Sequence, residues 1–194
     1  MPAGAPRIPL RGEIAREELP FKGSRTEMVY MTPEEKMAEV LRLAEEALLQ
    51  GELPIAAIIF HGDRVVSRAF TSEKHDGRFL VHAEMKALQE MDREKNSMKE
   101  RREMQLFTNL EPCMMCFGAA VHSFVGSVFY ALGSPTDGAA KWVVDRWTED
   151  HVDSVFSLPE VFGGLLSAGS RALFERYLAA NPSGGLADWV RTLV

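Results

Sequence analysis

The chain has few cysteines, no long apolar run and no excess of basic residues. Its only two cysteines, Cys113 and Cys116, exclude the disulfide framework of a small secreted domain. No apolar run reaches the roughly 18 residues that span a bilayer, and the first residues lack the apolar core of a signal peptide. The formal net charge of -6 disfavours nucleic acid as a partner, because such binding depends on Lys and Arg neutralising phosphates. We therefore predict a cytoplasmic protein without a membrane partner.

The composition along the chain indicates three segments. Residues 1–29 contain scattered Pro and Gly without a sustained period, which predicts an extended N-terminal arm. Residues 30–180 alternate between helical and strand patterns and form the predicted domain. Residues 181–194 follow a Pro-Ser-Gly-Gly break and form a C-terminal tail, which we regard as a candidate lid.

The pattern of apolar residues predicts helices and strands in alternation. The first helix begins at a capping box, Thr32-Pro33-Glu34-Glu35, and ends at Gly51. A hairpin and then alternating elements follow: strands over 55–60 and 65–70, a helix over 81–91, a loop over 92–103, a strand over 104–109, a helix over 112–122, a strand over 127–131, a helix over 138–147, a short fifth strand over 152–156 and a helix over 170–180. This order predicts a three-layer α/β/α sandwich around a mixed sheet.

Two short motifs carry the chemistry: His82-Ala83-Glu84 and Pro112-Cys113-Met114-Met115-Cys116. Cys113 and Cys116 are three residues apart at a predicted helix start, where both sulfurs share one face and free N–H groups favour the thiolate. A Cys-x-x-Cys pair also occurs in thiol-redox proteins, but His82 supplies a third metal ligand. Three protein ligands leave one tetrahedral position open, as in a catalytic zinc site, and there is no third cysteine to close it.

Glu84 lies two residues after His82, where it can sit beside the metal without binding it. Zinc activates water at neutral pH, and one carboxylate can then serve first as base and later as acid. We predict that Glu84 takes a proton from the water, passes it to a ring nitrogen and later protonates a leaving amine. The pattern His-x-Glu followed by Pro-Cys-x-x-Cys is typical of zinc deaminases.

These motifs and several flanking runs resemble the cytidine-deaminase-like superfamily, in the branch of tRNA adenosine, guanine and cytosine deaminases. The matching runs are Gly51 to Ala57, Thr108 to Cys116, Ala119 to Ser123, Gly138 to Ala140 and Gly163 to Leu166, the last opening the final long helix. The resemblance implies a mixed five-stranded sheet between helices, a zinc cofactor and a homodimer.

Substrate contacts are predicted at Ala56 and Ala83, within two of the matching motifs, and at Thr71 and Trp189. Thr71 stands where the purine-acting relatives place a base-binding Asn, and a hydroxyl does not reproduce the paired donor and acceptor of an amide. An ordinary strand-end hydroxyl is an equally good interpretation of Thr71. Trp189 lies in the apolar tail, where the tRNA enzymes tend to have a basic one. Core packing is the commoner role of a tryptophan, and among the three tryptophans Trp189 is the best lid candidate.

Three hypotheses follow for the function. The first is a zinc-dependent hydrolytic deaminase of a small nitrogen heterocycle, whether nucleobase, nucleoside or azine analogue, that releases ammonia. The second is a tRNA-specific adenosine deaminase, which the Leu-Glu-Pro-Cys-x-x-Cys and Gly-Ala-Ala matches favour. The third is a zinc-stabilised binding protein without catalytic activity.

Overall fold

A computed structural model describes residues 30–147 and 156–194, so the predicted arm over 1–29 lies outside the described residues. The first helix begins as predicted, because Thr32 and Glu35 form a reciprocal capping box and Pro33 occupies the first turn. The helices are α1 Pro33–Leu49, α2 Glu73–Asp76, α3 Ala83–Asp92, α4 Met98–Arg102, α5 Met114–His122, α6 Ala140–Arg146, α7 Ser167–Ala180 and α8 Gly185–Val190. The strands are β1 Ala56–His61, β2 Arg64–Phe70, β3 Met104–Leu110, β4 Ser127–Leu132 and β5 Glu160–Gly163.

The five strands form one mixed sheet in the order β2-β1-β3-β4-β5. β1 runs antiparallel to both β2 and β3, whereas β3, β4 and β5 are parallel to one another. This arrangement confirms the predicted mixed five-stranded sheet.

Helices cover the two faces of the sheet and bury the central strands between two apolar cores. In β1, Ala57 and Ile59 contribute to one core, while Ile58 and Phe60 contribute to the other. Side chains of α3 and α5 complete the first core, and side chains of α1 complete the second. Because successive residues of a strand point to opposite faces, this alternation gives the three predicted layers.

The sequence predicts a short fifth strand over 152–156, of which residues 152–155 lie outside the described residues. The fifth strand of the sheet in the structure is β5 at Glu160–Gly163. One sequence prediction needs correction. The segment 92–103, predicted as a solvated helix end and loop, contains the short helix α4, because Ser97 and Glu100 form a second capping box.

The C-terminal tail folds back on the domain. Val190 and Leu193 are buried within the first core, and α8 occupies Gly185–Val190. Among the described residues, no helix has both the length and the apolar character needed to cross a membrane.

Candidate metal centre and active site

The motif residues converge at one edge of the sheet. β3 ends at Leu110, two residues before Pro112 of the Pro-Cys-x-x-Cys run, and β4 runs parallel to it. Because β1 is antiparallel to β2 and β3, the start of β1 and the end of β2 reach the same edge. In open α/β sheets, ligands bind outside the carboxyl ends of the strands.

Three side chains from two helix starts form a metal-binding cluster. His82 is the N-cap residue of α3, Cys113 is the N-cap residue of α5, and Cys116 lies one turn further along α5. His82 Nδ1 lies 3.7 Å from Cys113 Sγ and 3.5 Å from Cys116 Sγ. All three donor atoms lie within 4.8 Å of one another.

These separations fit a zinc ion. Tetrahedral zinc has Zn–S bonds of about 2.3 Å and Zn–N bonds of about 2.0 Å, which puts nitrogen and sulfur ligands about 3.5 Å apart. The described residues offer no fourth His, Cys, Asp or Glu to the cluster, so one coordination position stays available to solvent or substrate. This is the ligand set of a catalytic rather than a structural zinc site.

The short distances between the three ligand atoms shift the pKa of each ligand. Contact with the Cys116 thiol and with His82 lowers the pKa of Cys113 to about 4. Contact with Cys113, and then with Glu73, raises the pKa of His82 to about 10. Contact with Cys113 together with burial raises the pKa of Cys116. At neutral pH the metal-free cluster therefore holds a thiolate at Cys113 and protons at His82 and Cys116.

Glu84 is a buried carboxyl group beside this cluster. It occupies the first turn of α3 and is 3 % exposed. Its Oε2 has no hydrogen-bond partner among the described residues, which is costly for a buried polar atom and common at functional sites. Burial raises the pKa of Glu84 to about 7, close to the value that suits a general base at neutral pH.

Glu111 fixes the loop that follows β4 against the start of α5. Its carboxylate accepts hydrogen bonds from the N–H groups of Ser134, at 3.1 Å, and Lys141, at 3.2 Å. Gly138 lies in this loop, where an added Cβ would come 2.4 Å from Glu111 Oε2 and 2.5 Å from Ser134 O. Only glycine therefore fits at Gly138 without movement of the loop that flanks Cys113.

A cavity of about 160 Å³ opens beside the ligands His82 and Cys113. Its walls carry four carboxyl groups, from Glu73, Glu84, Glu111 and Asp137. The apolar part of the lining consists of Leu53, Ile55, Leu110, Leu186 and Trp189. Among the described residues, no Lys or Arg lines the cavity.

The C-terminal tail forms one wall of this cavity. Trp189 of α8 donates a hydrogen bond through Nε1 to Asp137 Oδ1 at 3.2 Å, which links the tail to the loop after β4. Its ring packs edge to face against Phe174, with ring centroids 6.4 Å apart. Trp189 thus lies where a lid would, and the lid role stays a prediction.

The other three predicted substrate contacts do not line the cavity. Thr71 is 1 % exposed, and its hydroxyl lies 3.2 Å from Val81 O, which favours the interpretation as a structural strand-end residue. Ala56 is fully buried, and its N–H already donates to Asn109 Oδ1 at 2.8 Å. Ala83 is fully buried at the first residue of α3, next to the ligand His82.

Sequence reasoning missed three of the carboxyl groups in the cavity, those of Glu73, Glu111 and Asp137. Glu111 stood within the matching run before the cysteines, but its role depends on a loop 23 residues further along the chain. Asp137 meets Trp189 across 52 residues of sequence, and no local spacing signals such a contact.

Comparison with known proteins identifies the family. Residues 31–132 match the model of the cytidine and deoxycytidylate deaminase zinc-binding region. A tRNA-specific adenosine deaminase of Bacillus subtilis is 32 % identical over 150 residues, which cover 75 % of this chain and 92 % of the relative.

Two solved structures share the fold. A guanine deaminase from Nitrosomonas europaea is 22 % identical with a TM-score of 0.59, over 84 % of this chain and 94 % of that chain. A mutant protein in complex with 8-azaguanine is 25 % identical with a TM-score of 0.60, over 77 % of this chain and 86 % of that chain. The chain therefore belongs to the cytidine and deoxycytidylate deaminase family, with His82, Cys113 and Cys116 positioned to bind its zinc ion.

Proposed function

We propose that the protein hydrolytically removes an exocyclic amino group from a small nitrogen heterocycle and releases ammonia. The observation that carries this proposal is the cavity beside the zinc ligands. Its volume of about 160 Å³ is close to the cavity of about 150 Å³ that takes up benzene in an engineered protein core. A cavity of this size would accommodate one ring system, such as a nucleobase or an azine analogue.

The charge of the lining supports an uncharged substrate that is rich in N–H donors. Ionised carboxyl groups accept hydrogen bonds and do not donate them. The Asp137 carboxylate lies at the cavity beside Trp189, where it can accept from ring or amino N–H groups. A substrate phosphate near the same walls would meet like charge without a compensating Lys or Arg in the lining.

Glu84 carries the proton transfers in the proposed mechanism. Zinc, when bound by His82, Cys113 and Cys116, supplies Lewis-acid activation of water near neutral pH. The Glu84 carboxylate takes a proton from the attacking water and delivers it to the ring nitrogen next to the reacting carbon. Glu84 then takes the second proton from the hydroxyl group that the water has become on the ring carbon and delivers it to the amino group. The C–N bond breaks, a C=O bond forms, and ammonia leaves rather than an amide ion. The buried position of Glu84 keeps these protons from bulk water.

A tRNA-specific adenosine deaminase is the second candidate. The Bacillus subtilis relative supports it through its 32 % identity and the 92 % of its length that this chain covers. That function requires cationic side chains that grip the RNA backbone around the cavity mouth. The acidic cavity walls and the net charge of -6 favour the small heterocycle.

A zinc-stabilised binding protein without catalysis is the third candidate. A binding protein of this kind would not need a carboxyl group buried beside the metal ligands, and the Glu84 Oε2 atom has no hydrogen-bond partner among the described residues. A neutral residue of the same size would stabilise such a protein better. The acid–base role of Glu84 explains this arrangement.

Ammonia release measured across cytosine, guanine, adenine, their nucleosides and triazine analogues tests the proposal. The zinc-loaded protein should act on at least one of them, and Glu84→Ala should keep its zinc while the rate falls by about 100-fold or more. Inosine formation in bacterial tRNA, without turnover of any small heterocycle, would establish the second candidate instead. No reaction on either class, with zinc bound, would favour the binding protein.

Assembly and location belong to the same proposal. We propose a homodimer in the cytoplasm. Light scattering of the full-length chain tests the dimer, since a monomeric mass at micromolar concentration would contradict it.

A further inference from the structure

The imidazole of His82 lies between the two sulfurs and a carboxylate that the proposed mechanism does not use. Its Nδ1 faces Cys113 and Cys116 at 3.7 and 3.5 Å. Its Nε2, on the other side of the ring, lies 3.4 Å from Glu73 Oε1. The side chains of His82 and Glu73 are only 28 % and 20 % exposed, so solvent screens this pair less than it would a surface pair.

The protein holds Glu73 in place through the short helix α2. The Glu52 carboxylate, 4 % exposed, accepts hydrogen bonds from the N–H groups of Lys74 at 3.1 Å and His75 at 2.6 Å. The buried hydroxyl of Thr71 lies 3.4 Å from Glu73 Oε2. The buried Glu52 carboxylate thus anchors the two residues that follow Glu73. The second carboxylate oxygen of Glu73 has the Thr71 hydroxyl as its neighbour.

We infer that Glu73 is a positioning residue for the zinc ligand His82. A carboxylate next to Nε2 favours the tautomer with hydrogen on Nε2, which leaves the Nδ1 lone pair directed at the metal position between the sulfurs. Carboxylates paired with metal-bound imidazoles in this way fix the ring orientation and increase the basicity of the ligand nitrogen. Glu73 acts on metal affinity through His82, whereas Glu84 acts on protons of the reaction.

The inference depends on zinc binding by the cluster and not on the identity of the substrate. Its test therefore uses zinc affinity, measured by competition with a chromogenic chelator on the zinc-loaded, full-length protein. Glu73→Ala should weaken zinc binding by about 10- to 100-fold, the usual loss when the partner of a ligating imidazole is removed. Glu73→Gln keeps an oxygen that accepts from Nε2–H but loses the charge, so its loss should be smaller.

Asp76→Asn provides the matched control on the same short helix. The Asp76 carboxylate contacts Ser72 Oγ at 2.8 Å and His75 Nδ1 at 2.9 Å, and does not contact His82. This variant should bind zinc as tightly as the wild type. Equal far-ultraviolet circular dichroism spectra of the zinc-loaded variants would show that the fold is intact, so that affinity changes report on the metal site.

Nitrogen NMR of the zinc-loaded protein measures a property of His82 that would not change if Glu73 had only a structural role. In the wild type, His82 should appear as metal-bound at Nδ1 with a slowly exchanging proton on Nε2, and in Glu73→Ala that proton should exchange faster. Wild-type zinc affinity in Glu73→Ala would overturn the inference. So would equal weakening by Glu73→Ala, Glu73→Gln and Asp76→Asn, because that result would reduce Glu73 to a structural part of α2.

Discussion

Replacement of Glu84 by Gln should stabilise the zinc-free protein at alkaline pH while it removes activity. Burial raises the pKa of this carboxyl from 4.5 to about 7. The folded protein thus keeps the Glu84 proton up to about pH 7, whereas the unfolded chain loses it near pH 4.5. Stability therefore falls as the pH rises through this interval, and above it the charged carboxylate lowers the free energy of unfolding by about 3 kcal/mol. A neutral amide of similar size does not carry this penalty.

Urea denaturation of the zinc-free wild type and Glu84→Gln at pH 5 and pH 8.5 measures the effect. The variant should be more stable by about 3 kcal/mol at pH 8.5 and by about 1 kcal/mol or less at pH 5. Glu90→Gln is the matched control, because Glu90 lies on the same helix with a side chain that is 57 % exposed. A Glu84→Gln variant that is no more stable than the wild type at pH 8.5 would refute the reasoning.

Three further predictions concern the metal, the loop after β4 and the tail. Zinc affinity should rise with pH, because the raised pKa values of His82 and Cys116 leave both protonated at neutral pH, and zinc must displace about two protons. Chelator competition at pH 6, 7 and 8 measures this, and a pH-independent affinity would contradict it. In thermal unfolding, Gly138→Ala should destabilise the protein by about 1–3 kcal/mol, whereas Gly118→Ala should be tolerated because the added carbon meets open space. Equal stability of the two variants would contradict the packing argument. Trp189→Ala should lower kcat/KM on an active small substrate by roughly 10- to 100-fold, and unchanged steady-state kinetics would remove the tail from the active site.

The metal ligands and most elements could be predicted from the sequence because their signals are local. The capping box at Thr32, the apolar run of β1 and the cysteine pair at a helix start each depend on a few neighbouring residues. His82 and Glu84 follow from a single short motif at the start of α3. In such cases spacing alone places side chains on one face or at one helix end.

The short fifth strand could not be placed from the sequence. β5 has only four residues, Glu160–Gly163, and none of them is fully buried. It therefore lacks the apolar alternation by which longer strands are recognised. Its position depends on pairing with β4, a contact that only the folded chain defines.

The sequence also does not predict which residues surround the metal ligands, because they meet through contacts between distant parts of the chain. Glu73 reaches His82 because α2, only four residues long, turns the chain after β2. Asp137 reaches Trp189 because the tail returns to the sheet edge after α7. Ala56 is absent from the cavity lining, and its N–H donates a hydrogen bond to Asn109 of β3, a contact across 53 residues that no local spacing signals.

X-ray absorption at the zinc edge of the full-length protein tests the central claim most directly. The account predicts one zinc per chain with two sulfur neighbours at about 2.3 Å and two nitrogen or oxygen neighbours at about 2.0 Å. Substitution of Cys113 or Cys116 by Ser should remove one sulfur from this shell or release the metal. A shell of four protein ligands, or a protein that folds and binds no zinc, would contradict the account.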